Sequence, residues 1–220
     1  MVTSFGLTFV ARAARQVVWE LRIWWADRGG RRKARALPAQ NLKLQVGCGP
    51  KLKQGWVNID LVDGADIALD LRRPLPFADA SCDIVYAEHF FEHLDYPDDA
   101  DAFLRECRRV LRPGGRLSLG VPDAVPAMKA CVADIEQGRT EVPRQSYQPA
   151  WCRTPMDQTN FLFRQNYLYW LHEHKYAYDY ATLALHVTAA GFAQVRRRDF
   201  DASLDSPEHA GGTIYVEAIR

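Results

Sequence analysis

Leu42 to Asp60 reads LKLQVGCGPKLKQGWVNID, two short apolar runs that each end in residues able to hold a ligand. The first stops at Gly47-Cys48-Gly49, where backbone N–H groups can approach a ligand closely. The second stops at Asp60, whose carboxylate is placed to accept hydrogen bonds from ribose hydroxyls. This pairing is how an open α/β sheet builds a nucleotide pocket. A third apolar run, Cys82–Ala87, is followed by Glu88, His89 and His93, on the rim where such sheets hold ligands. Histidine titrates near neutrality, so His89 is the candidate base for taking a proton from a hydroxyl. Glu88 and His93 are placed to orient it or to touch the bound ligand. A competing reading has Glu92 and His93 merely tying a short helix to the sheet. Histidines 89, 93, 172 and 174 do not by spacing complete a ligand set, so no metal is expected.

These groups need a sheet to carry them, and the chain alternates strand-like and helical patterns from Leu42 onward. Seven strands are predicted: Leu42–Val46, Val57–Asp60, Asp66–Leu69, Cys82–Ala87, Arg116–Val121, Ala193–Arg198 and Thr213–Ile219. The last two are joined by a polar loop and should be antiparallel; the rest make a mostly parallel sheet covered by helices on both faces. Helices are predicted at Pro97–Leu111, Ala124–Gln137 and Asp179–Ala190. Only seven residues separate Gly49 from Val57, too few for a helix between the first two strands. Asp60 follows Gly47 by 13 residues, against roughly 20 in a dinucleotide fingerprint, which disfavours a nicotinamide enzyme.

In order, VGCG, NID, DLRRPLPF, SCDIVYAEHFFEHL and RVLRPGGRL resemble the class I S-adenosylmethionine-dependent methyltransferases. The likeness is closest to small type-11-like members associated with bacterial surface-polysaccharide and sugar modification, and HKYAYDYATLALHVTAAGF adds to it. It implies a seven-stranded Rossmann-like sheet and S-adenosylmethionine as cofactor. The cofactor would be held by Gly47, Cys48, Gly49, Asp60, Leu61, Asp70, Leu71 and Glu88. Asp70 and the backbone of Leu71 would flank the adenine. The implied reaction is O-methylation of a small molecule or sugar-containing glycan precursor. N- or C-methylation, or a catalytically silent cofactor-binding scaffold, are the alternatives.

Residues 139–176 have no clean period and are crowded with aromatics, which suggests a substrate-binding lid or a secondary core. Trp151, Arg153, His174 and Tyr178 are its candidate acceptor contacts, with Arg164, Tyr167, Tyr169 and Trp170 nearby. Upstream, residues 4–27 read as one amphipathic helix ended by Gly29-Gly30, so that 1–38 form an appendage to a 39–220 domain. Eight basic against two acidic side chains give residues 1–40 a net charge of about +6, although the whole chain carries +1. That helix could pack on the domain, bridge a homodimer, or lie on an anionic membrane face. The small overall charge gives no footprint for nucleic acid. Five scattered cysteines and the lack of a secretory pattern predict a cytoplasmic protein.

Overall fold

The computed structural model describes residues 4–146, 148–163 and 173–220. Six strands form one sheet: β1 Leu42–Val46, β2 Val57–Ile59, β3 Cys82–Glu88, β4 Leu111–Pro122, β5 Ala193–Arg198 and β6 Thr213–Ile219. Their order is β2-β1-β3-β4-β6-β5. The first four are parallel, while β6 runs antiparallel to both β4 and β5. The helices are α1 Ser4–Ala34, α2 Asp98–Val110, α3 Ala124–Glu136, α4 Pro155–Phe163 and α5 Tyr180–Ala189. This is a Rossmann-like α/β architecture built on a mixed sheet.

Sequence explains the central elements directly. In β3, Cys82, Val85, Tyr86 and Ala87 are all buried, because a central parallel strand is covered on both faces. On α2, Ala100, Phe103, Leu104, Cys107 and Val110 form the stripe against the sheet. Its first turn holds Asp98, Asp99 and Asp101 and its last Arg108 and Arg109, each complementing the helix dipole. Asp179 caps α5 by accepting a 2.8 Å hydrogen bond from the Thr182 N–H. Residues 48–56 contain no helix, as the short spacing required.

Three expectations are corrected. The third predicted strand, Asp66–Leu69, is not a strand, and only a single bridge joins Ile67 to Ile59. The Asp66 carboxylate accepts from both the N–H and the side-chain amide of Asn58, and Asp27 of α1 takes the Asp70 N–H. Side chains thereby occupy donors that a longer ladder would have used. Second, β4 begins at Leu111 and carries Pro113-Gly114-Gly115 as an irregularity, with the register against β3 shifting between Cys82 and Ile84. Third, α1 does not stop at Gly29-Gly30 but runs to Ala34. A Cβ on Gly30 would stand 1.9 Å from the Ala68 carbonyl oxygen, so the glycine permits close packing and does not break the helix.

The second half of α1 is therefore part of the domain surface. Asp27 is fully buried and accepts from Arg31 and from Arg73, at 2.7 and 2.5 Å. The Arg72 guanidinium forks across Glu20 at 3.0 and 2.9 Å. Val10, Val17, Val18, Leu21 and Trp25 remain exposed. No helix among the described residues is long and apolar enough to cross a membrane.

Candidate active site at the carboxyl edge of the sheet

The carboxyl ends of β1, β2 and β3 open into a cavity of about 800 Å³. Gly47, Gly49, Asp60, Leu61, Asp70, Leu71, His89 and His93 all line it, so most of the expected cofactor residues converge on one space. The geometry at the glycine turn is specific. Gly47 sits at φ +64° with its N–H on the Ile59 carbonyl, and the Phe90 side chain occupies the space its Cβ would need. Gly49, at φ +51°, has open space there and donates its N–H to Asp60 Oδ2 at 2.8 Å. Asp60 Oδ1 takes the Leu61 and Val62 N–H groups at 2.6 and 3.3 Å. A carboxylate has about four acceptor sites, so Oδ2 keeps one for a ligand hydroxyl.

Asp70 lies in the cavity wall, but Arg72 grips both its oxygens, at 2.8 and 2.9 Å. Burial pushes the Asp70 carboxyl up, yet the hydrogen bonds and charge of Arg72 outweigh this and leave it below the usual range. Its fit to an adenine amino group thus depends on the acceptor directions that Arg72 leaves. Leu71 is buried, and Leu61 is half-exposed at the mouth.

His89 holds φ +51°, a strained conformation for a residue with a Cβ, beside the cavity. Its Nε2 is 2.9 Å from the Thr213 hydroxyl, and its ring stacks on His209 with centroids 3.7 Å apart. Burial, with the His209 charge adding to it, pushes the His89 pKa down to about 3. It is a neutral imidazole at physiological pH, and a weaker base than its residue type suggests.

Glu88 is not part of the cavity lining. Its carboxylate accepts from the Ser206 N–H and the Tyr215 hydroxyl, at 3.1 and 3.0 Å, and lies 3.3 Å from His209 Nδ1. Burial pushes this carboxyl up, but those partners overcome it and bring it to about 2. Glu88 therefore anchors the 206–209 loop that stacks on His89. Cys48 is also turned away, buried with its Sγ 3.3 Å from the Gly49 carbonyl, and burial raises its pKa to about 12.

The expected acceptor residues do not gather at the cavity. Arg153 pairs with Glu141 on the segment before α4, and Trp151 packs edge-on against Phe161. Tyr178 is buried among Phe91, Tyr96 and Tyr176. His174 is buried and lies with Glu92 and His93 in a separate cluster against the cavity wall. Burial raises the Glu92 carboxyl to about 8 and lowers the His174 pKa. Arg164, Tyr167, Tyr169, Trp170 and His172 lie outside the described residues.

Packing of the first helix on the domain was among the sequence expectations, but its place in the cavity wall, as the roof, was not. Trp19, Arg22 and Ile23 of α1 line the same cavity, although residues 1–38 look like an appendage in the sequence. The sequence reading missed His209 and Thr213, which reach His89 from the loop before β6 and from that strand's first residue. The motif DLRRPL, with two arginines just after Asp70, is the one signal that could have flagged Arg72 as its partner.

A family model described as "Methyltransferase domain" matches residues 63–119. That match spans 57 of the 220 residues. The cofactor that this domain implies is S-adenosylmethionine. A relative from Amycolatopsis mediterranei (strain S699), 27-O-demethylrifamycin SV methyltransferase, is 45% identical over 129 residues. That match covers 47% of this chain and 46% of the relative, so just under half of either protein is compared. Two solved structures are also similar. One is a methyltransferase from Mesorhizobium loti, at 18% identity and TM-score 0.48, covering 85% of this chain and 95% of that one. The other, from Thermotoga maritima, is described as a possible histamine N-methyltransferase, at 15% identity and TM-score 0.45, covering 96% of each chain. Values this low say nothing about substrate.

Proposed function

We propose that the chain is an S-adenosylmethionine-dependent methyltransferase that methylates an oxygen of a small molecule. The observation that carries this reading is the convergence of Gly49, Asp60 and His89 on one cavity beneath α1. When bound there, the cofactor supplies a methyl group on a positively charged sulfur, which is already activated for displacement. The chain's own contribution is then proximity and alignment. Asp60 Oδ2 would accept from a ribose hydroxyl, with the Gly49 N–H holding the carboxylate in place. Leu61 and Leu71 supply apolar wall for the adenine, beside Trp19 and Ile23 of the roof.

His89 is the group we assign to the acceptor. A pKa near 3 makes it a neutral hydrogen-bond partner that orients a hydroxyl, with proton uptake a weaker contribution. The choice of oxygen draws on the relative named for O-methylation of a rifamycin. The motif resemblance favours a sugar-containing glycan precursor within the same hydroxyl class. The cofactor pocket alone would serve nitrogen or carbon acceptors equally well.

Titration calorimetry with S-adenosylhomocysteine tests the core of the proposal. Wild-type protein should bind it, and Asp60→Ala should weaken binding about 10- to 150-fold, the equivalent of ~1.5–3 kcal/mol for a charge-assisted hydrogen bond. No binding by folded wild-type protein sinks the enzyme reading. Binding without methyl transfer from labelled cofactor to any hydroxyl compound of a cell extract favours the silent scaffold.

A further inference from the structure

We propose that Glu92, His93 and His174 form a binding site for one divalent transition-metal ion of the zinc(II) class. The side-chain donors of these three residues lie within 4.8 Å of one another. Glu92 is 1% exposed, and neither of its carboxylate oxygens has a hydrogen-bond partner. Leaving a buried carboxylate unpartnered is strongly unfavourable, since charged groups inside proteins are paired or bind metals.

Imidazoles surround this carboxylate. His174 Nε2 and His93 Nε2 stand 3.9 and 4.0 Å from Glu92 Oε1, beyond hydrogen-bond length. His89 Nδ1 lies at 3.9 Å from the same oxygen. The two outer nitrogens are committed elsewhere: His93 Nδ1 faces the Glu173 carbonyl at 3.1 Å, and His174 Nδ1 faces the Leu162 carbonyl at 2.8 Å. A carbonyl can only accept, so Nδ1 carries the proton in both neutral rings, and Nε2, the nitrogen on the Glu92 side, is the one that bears the lone pair. Backbone carbonyls fixing the far nitrogen are what orients histidines as metal ligands.

The donors come from two elements pinned together. Residues Phe91–His93 form one 3-10 turn, and the N–H of Lys175 reaches back to the Glu92 carbonyl at 2.7 Å. Two imidazoles and one carboxylate suit zinc(II) and also iron(II), while calcium and magnesium prefer all-oxygen sets. Bond lengths of about 2.0–2.1 Å to a tetrahedral ion bring ligand atoms roughly 3.3 Å apart. Binding therefore draws each donor in by a fraction of an ångström. His93 also lines the cavity, which puts the ion in its wall.

The test uses the full chain, stripped with a chelator and titrated with zinc chloride by calorimetry. One equivalent should bind, and both Glu92→Gln and His174→Ala should weaken binding at least tenfold while the circular dichroism spectrum stays that of wild type. Cobalt(II) added to wild-type protein should show the intense visible bands of a low-coordinate nitrogen-ligated ion, a readout that needs no variant to fold. The proposal is overturned if folded wild-type protein takes up no zinc, if both variants bind as tightly as wild type, or if cobalt(II) keeps the weak spectrum of its hexahydrate.

Discussion

Two glycines of one turn do different jobs, and a stability measurement can separate them. Both sit at positive φ, but a methyl on Gly47 would meet Phe90 at 2.5 Å, whereas one on Gly49 meets nothing within 4 Å. Gly47→Ala therefore combines backbone strain with overpacking and should cost about 2–4 kcal/mol. Gly49→Ala carries only the left-handed penalty and should cost about 1–2 kcal/mol. Urea unfolding of the two variants checks the order. The sequence announces both glycines equally, because nothing in G-C-G says which one Phe90 approaches. Glu88 makes a second residue-scale prediction. Its folded pKa, about 2, lies below the ordinary carboxyl value of 4.5, so the unfolded chain binds more protons between those limits. The stability it contributes is complete above pH 4.5 and is lost as pH falls toward 2. Glu88→Gln should lower the urea midpoint at pH 7, and its difference from wild type should shrink through pH 4 and 3. A constant difference over that range would show that Glu88 is not charged in its loop-anchoring network.

At the scale of elements, the strands were legible because apolar runs bounded by glycine or proline depend on local composition. β1 and β6 fall where such runs place them, and β5, AQVRRR, also falls where expected although it is not apolar. What failed were features set by distant partners. Gly29-Gly30 looks like a helix stop, yet Gly30 is where α1 meets the Ala68 carbonyl. Asp66–Leu69 has strand composition, yet Asp66 and Asp27 divert its pairing. His174 reads as a lid residue because its approach to Glu92 depends on tertiary folding. On the edge strand β5, Arg198 reaches both oxygens of buried Asp205 at 2.6 Å and contacts the Ser118 hydroxyl. This pair holds the chain after β5 under Tyr86, whose hydroxyl also reaches Asp205 at 3.2 Å. Asp205→Ala leaves the Arg198 guanidinium buried without its counter-charge and should cost about 3–5 kcal/mol, read as a lower urea midpoint. A loss under 1 kcal/mol would show that the loop relaxes to let water reach Arg198.

For the whole molecule, the main consequence is that the candidate cofactor cavity is shared between α1 and the sheet. Trp19, Arg22 and Ile23 form one side, while Gly49, Asp60 and His89 form the other. The two sides are clamped by Asp27, which pairs with Arg73 and accepts the Asp70 N–H, and by Arg72 with Glu20 and Asp70. A ligand filling that space binds only the folded, clamped molecule and must stabilise it. At 100 times its Kd, S-adenosylhomocysteine should add about 2.7 kcal/mol, which for a chain of this size is roughly 5–10 °C in Tm. Asp27→Asn removes the buried charge that joins α1 to Arg73 and should itself cost about 2 kcal/mol. If the roof matters to the cavity, this variant also binds the ligand more weakly, so its Tm shift at the same ligand concentration falls below that of wild type. If α1 were an appendage, Asp27→Asn would lower the unliganded Tm and leave the ligand-induced shift intact. Differential scanning fluorimetry of both proteins, with and without S-adenosylhomocysteine, separates the two outcomes, because loss of stability and loss of affinity appear as independent displacements of the melting curve.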